Sequence, residues 1–150
     1  MKKILLSMTL AVAILGSAFA TPVDKEPSVI VKAAFAKEFS TAKDVKWEAT
    51  AATGGVYEAR FSFNNENLQA YFSDDGEFLG TTRQISIARL PVLAANAFAR
   101  KYADYHLVSV FEYSKPESVE YFITVSNAKG GLLLHATGNG ELTVYKRIKQ

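Results

Sequence analysis

The stretch Tyr57–Leu79, YEARFSFNNENLQAYFSDDGEFL, decides how this chain is read. Tyr57, Ala59, Phe61 and Phe63 alternate with Glu58, Arg60 and Ser62, the period-two pattern of a strand with one buried face. Asn64 to Asn67 turns the chain. Leu68, Ala70 and Phe72 then alternate with Gln69, Tyr71 and Ser73. Asp74-Asp75-Gly76 is a second turn, because glycine takes positive φ without a steric cost. The chain repeats this theme at Tyr121–Leu142, YFITVSNAKGGLLLHATGNGEL.

Working outward, Val45, Trp47 and Ala49 alternate with Lys46, Glu48 and Thr50, which gives a strand before the Gly54-Gly55 turn. Trp47 shares its side with Val45 and Ala49 and reads as a core residue. A fourth strand runs from Glu77 to about Gln84. Upstream, Val31, Ala34, Phe35 and Phe39 recur at helical spacing after Pro27, predicting a helix from Pro27 to Phe39. A second helix follows Leu90-Pro91. Its apolar stripe is Leu90, Leu93, Ala94, Ala97, Phe98 and Tyr102, and Arg100 and Lys101 lie near the C-terminal end favoured by cations. Strands follow at about Leu107–Tyr113, Val119–Ser126, Leu132–Thr137 and Glu141–Ile148.

The two halves match residue against residue. Ala34-Phe35-Ala36-Lys37-Glu38-Phe39 aligns with Ala97-Phe98-Ala99-Arg100-Lys101-Tyr102, and Gly76-Glu77 aligns with Gly140-Glu141. The expected fold is α+β: two tandem helix-plus-four-stranded antiparallel repeats, able to join as one continuous eight-stranded curved sheet. The expected divisions are a signal peptide at 1–20, a lead at 21–26, and repeats at 27–86 and 87–150.

Residues 1–20 carry a basic start at Lys2 and Lys3, an apolar run from Ile4 to Leu15, and Ala18-Phe19-Ala20 as a cleavage site. The apolar run is short for a membrane span, which needs about 20 residues. Periplasmic or secreted location and no stable membrane insertion after cleavage are therefore expected. Of 17 basic residues against 15 acidic ones, Lys2 and Lys3 leave with the signal, so the remaining chain is balanced. That balance gives no bulk electrostatic case for nucleic acid. Without cysteine, packing alone must hold the fold.

These elements resemble one family. The Ala-Phe helix ending at Phe39, Val45-Lys46-Trp47-Glu48, Tyr57 and Phe61, Tyr71-Phe72-Ser73-Asp74-Asp75-Gly76, and the helix start at Leu90-Pro91 look like the PepSY-like secreted proteins. Those have been compared to β-lactamase-inhibitor proteins. The resemblance covers essentially the whole chain after residue 20 and rests on structural motifs. It implies tandem αβ units with an exposed sheet face, the face by which the inhibitors grip a target enzyme. The inhibitors are disulfide-braced and this chain has no cysteine. No inhibitory loop can be matched.

No catalytic, cofactor or metal constellation is readable, and the expectation is a non-enzyme without cofactor. His106 and His135 lack a His or Cys partner at ligand spacing. Asp74-Asp75-Gly76 lacks the further oxygens of a calcium loop. No serine sits in a nucleophile elbow.

One face stands out. Carrying the phase of the first repeat into the second, the side away from the helix reads Lys46, Glu48, Glu58, Arg60, Gln69 and Tyr71 in the first, an ordinary solvated face. In the second it reads Phe111, Tyr113, Phe122, Thr124, Leu133, His135 and Tyr145. Contiguous exposed apolar surface marks contact sites, and aromatic residues are frequent interface anchors. The expected function is a binding module that docks a protein through Phe111, Tyr113, Phe122, Leu133, His135 and Tyr145, with Tyr71 as an additional contact. Two other readings use the same face: a small-ligand or glycan binder stacking on Tyr71, Tyr113, Tyr145 and His135, and a homodimer.

Overall fold

The computed structural model describes residues 26–50 and 55–148. The signal-peptide reading of 1–20, most of the 21–26 lead and Gly54 lie outside the described residues. The fold is α+β, with eight strands in one sheet and two helices among the described residues. The strands are β1 (Lys43–Thr50), β2 (Val56–Phe63), β3 (Glu66–Ser73), β4 (Phe78–Ile85), β5 (His106–Lys115), β6 (Ser118–Asn127), β7 (Gly130–Thr137) and β8 (Leu142–Ile148). Sheet order follows chain order from β1 to β8. The chain divides into two compact units at Thr81/Thr82, inside β4.

In the first unit, α1 (Val29–Glu38) packs on the sheet through Val31 and Phe35. Pro27 lies before the helix rather than within its first turn. Ser28 takes the N-cap instead, where its hydroxyl accepts from the Val31 amide at 3.3 Å. Serine can satisfy an orphan amide and proline cannot. The Phe35 ring lies 4.9 Å from Phe61 and 5.2 Å from Trp47, both edge-on. Phe39 lies 4.8 Å from Phe61. These separations are those of favourable aromatic pairs, and they place Trp47 against the core with Tyr57, Ala59, Ala70 and Phe72.

In the second unit, α2 (Val92–Lys101) follows a 3-10 turn at Ile87–Arg89. Leu90, Ala94 and Ala97 are buried against Val110, Tyr121, Ile123, Val125, Leu132, Leu134 and Ala136. Leu93 departs from the expected stripe, being 58% exposed. It sits in the first turn of α2, over the β7–β8 turn, rather than on the sheet.

The two glycine turns have matching geometry. Gly76 has φ +85° and Gly140 φ +88°, where glycine is the residue without strain. Gly76 N donates to Ser73 O and Ser73 N to Glu77 O, each at 3.0 Å. Gly140 N donates to Thr137 O at 3.1 Å and Thr137 N to Glu141 O at 3.0 Å. Ser73 Oγ donates to the Asp75 carboxylate, and Thr137 Oγ1 to the Asn139 side-chain oxygen. The Ser73 hydroxyl, followed by the Glu77 amide, holds the Asp75 carboxyl below its ordinary range. Each glycine also touches the start of its unit's helix. A Cβ on Gly76 would lie 2.9 Å from Ile30 Cγ2, and one on Gly140 would lie 3.1 Å from the Leu93 carbonyl.

Gly76→Ala and Gly140→Ala should each lower the unfolding free energy by about 1–3 kcal/mol, through backbone strain and crowding of the helix start. Urea melts would read this. Unchanged midpoints for both variants would mean that the turns do not clamp the helices.

Candidate functional site

Alternation along the second unit's strands sends Val110, Tyr121, Ile123, Leu132 and Leu134 to the helix side. The intervening residues go to the outer face. Cross-strand register then aligns them in rows. Phe111 pairs with Phe122, Phe122 with His135 and His135 with Thr143. Tyr113 pairs with Glu120, and Thr124 with Leu133. The Phe122 ring lies 5.3 Å from His135 and 5.6 Å from Tyr145, the latter edge-on.

The register puts Phe111, Tyr113, Phe122, Leu133 and His135 on one outer face, and the ring contact with Phe122 brings Tyr145 to it. Their exposure does not match the expected open patch. Tyr113 is 1% exposed, Phe122 2% and Leu133 6%, while Phe111, His135 and Tyr145 are half-buried. Large rings on neighbouring strands lie close enough to cover one another. Phe111, His135 and Tyr145 are therefore the more exposed members of this face, and Tyr113, Phe122 and Leu133 the buried ones. Tyr71, also 2% exposed, belongs to the first unit, where it packs with Val56 and Leu79 and donates to Gln69 Oε1 at 3.3 Å.

A small charged cluster borders these rings. Lys115 is paired with Glu120, and its ammonium lies 5.6 Å from the centre of the Tyr113 ring. His135 Nε2 approaches Glu120 Oε2 to 3.4 Å. That is within ion-pair reach but not aligned for a hydrogen bond, so this buried nitrogen stays unbonded among the described residues. Burial, aided by the Glu120 charge, pushes the Tyr113 hydroxyl up to about 12. The same two causes raise Tyr145.

The first unit's outer face is not the ordinary solvated surface that its charges suggested. Glu58 is 3% exposed. Arg60 Nε reaches Glu58 Oε1 at 2.7 Å, and its guanidinium reaches Glu48 Oε2 at 3.1 Å. Glu48 and Glu58 are direct cross-strand neighbours, a like-charge pairing that costs stability unless a cation bridges it. The hydrogen bond to Glu58 holds the Arg60 guanidinium above even its usual high value. A glutamate and an arginine two positions apart on one strand were the visible signal of this bridge.

Among the described residues no group of three or more His, Cys, Asp or Glu could hold a metal ion. His106 is exposed at the start of β5 opposite Ser126, away from His135 in the register. On the outer face of the second unit, Phe111, His135 and Tyr145 are half-buried beside the buried Tyr113, Phe122 and Leu133.

Comparison with solved structures identifies the fold as BLIP-like. A BLIP-like protein from Bacteroides fragilis superposes with a TM-score of 0.73 at 24% identity, covering 84% of this chain and 89% of its own. A DUF2874 family protein from Bacteroides ovatus gives 0.71 at 24% identity, over 80% and 89%. A protein inferred to be periplasmic from Bacteroides eggerthii gives 0.72 at 22% identity, over 82% and 88%. No protein-family model matches the chain, and no curated protein matches it.

Tyr113 keeps its proton to about pH 12 when folded and to about pH 10 when unfolded. Its contribution to stability is full below about pH 10 and is lost as pH rises toward 12. Tyr113→Phe should flatten that alkaline loss in denaturant melts at pH 8 and 11; equal slopes would contradict the burial. Arg60→Met should cost on the order of 2 kcal/mol at pH 7, discounted from the range for fully buried pairs because Arg60 is partly exposed. A melting temperature equal to wild type would show that the bridge is not needed.

Proposed function

We propose that this chain is a periplasmic or secreted, non-enzymatic binding module of two tandem helix-plus-sheet repeats, and that the outer face of the second unit docks a protein partner. One observation carries the docking reading. Phe111, His135 and Tyr145 stay partly exposed on a face that the unit's own helix does not cover. Full burial of a large apolar side chain contributes about 1.5–3 kcal/mol, and these partly exposed rings forgo a fraction of it. The packed layer of Tyr113, Phe122 and Leu133 beneath holds these rings in place, which lowers the ordering cost of binding.

The tandem division is supported by the paired glycine turns and by the repeated contact of each with its helix start. Location is supported by the signal-like pattern of residues 1–20 and by the similar fold of the Bacteroides eggerthii protein. No described helix is long and apolar enough to cross a membrane. The glycan reading loses ground, because Tyr71 and Tyr113 are too buried to stack on a sugar.

The test compares residues 21–150 as bait with a Phe111→Glu/Tyr145→Glu variant, using the envelope fraction of the native organism. Phe111 is the cross-strand partner of Phe122 and Tyr145 packs edge-on against it, so thermal melts first establish that the variant is folded at the assay temperature. A partner held by wild type and weakened roughly 30-fold or more in the variant is the expected result. Equal capture by both would overturn the docking claim. Light scattering that finds a dimer in wild type and a monomer in the variant would assign the face to self-association instead.

A further inference from the structure

The sheet starts at β1 and ends at β8. Among the described residues each end strand pairs on one side only, β1 with β2 and β8 with β7. A free strand edge offers a row of amides and carbonyls to any other chain. Both ends carry a register skip and a pair of exposed cations. In β1 the register skips between Lys43 and Lys46, with Asp44 at φ +55°, and both lysines are exposed. In β8 the register skips between the Leu133–Lys146 and Leu134–Val144 pairs, with Tyr145 at the skip. Lys146 and Arg147 beside it are exposed, and neither has an ion-pair partner among the described residues.

The rest of β8 would suit strand addition. Val144 is 43% and Ile148 42% exposed, and a ninth strand would cover both. The bulge and the two cations act against this. In an antiparallel pairing of two β8 strands, the Lys146-Arg147 steps would fall near one another, and like charges across a pair are destabilising. A bulge also twists the edge away from a straight partner.

We propose that β8 is a guarded edge: the Tyr145 bulge with Lys146 and Arg147 prevents a second copy of this chain from adding to the sheet. Association through the edge is closed, and contact is left to the faces. The reading is independent of the docking proposal.

The test is Lys146→Thr with Arg147→Val. A Lys32→Thr/Lys37→Thr variant on α1 makes the same change in net charge away from the edge. Light scattering should show concentration-dependent dimers for the edge variant only. Hydrogen exchange should slow at least tenfold at Val144–Ile148 in those dimers. If the edge variant folds poorly, Lys146→Gln/Arg147→Gln gives the same reading. Wild-type mass and exchange in every folded edge variant would overturn the proposal, as would equal association of the α1 control. A dimer of wild type with fast β8 exchange concerns the outer face and leaves the edge guarded.

Discussion

A ten-residue helix covers one face of a sheet, and the other face must find its own cover. Everything distinctive in this molecule follows from that constraint. Both units meet it on the helix side in the same way, with small residues and edge-on rings beneath α1 and Leu90, Ala94 and Ala97 beside the second sheet segment. They differ on the far side. The first unit fills its outer face with a bridged set of charges centred on Arg60. The second fills it with rings that shield one another and leaves a thin charged border at Lys115 and Glu120. One architecture thus carries two chemically different surfaces.

Much of the fold was legible because period-two alternation is a direct consequence of strand geometry. The strands fell within a few residues of their expected bounds, and the phase placed Phe111, Phe122 and Tyr145 on the correct side. Exposure was not legible. Alternation tells which face a residue occupies, but not how closely its cross-strand neighbours lean over it. Phe122, beside the His135 and Tyr145 rings, and Glu58, held by Arg60, are buried, and so is Tyr113. The bulges were equally hidden, since the skips at Asp44 and Tyr145 carry no glycine or proline to mark them. Leu93 was misjudged because helical periodicity assigns a stripe without saying where the first turn lies relative to the sheet.

The solved structures share this backbone at under 25% identity. Such a likeness speaks for the arrangement of helices and strands, not for the side chains on the outer faces. The chain's own chemistry has to be read from Arg60 and its two glutamates in one unit and from the packed rings in the other. A backbone that tolerates either filling leaves the surface free to change without disturbing the helix-side core.

The contacts of Gly76 with Ile30 and of Gly140 with Leu93 join residues from opposite ends of each unit's sequence. For a chain that emerges N-terminus first, this sets an order of events. The start of each helix reaches its seat only after the third strand of its unit has turned, so a helix alone cannot lock. Loop closure of that span comes before the reward, and a contact so distant in sequence slows the step. The helix start of each unit is thus seated by a contact that is distant in sequence, between Ile30 and the Gly76 turn and between Leu93 and the Gly140 turn.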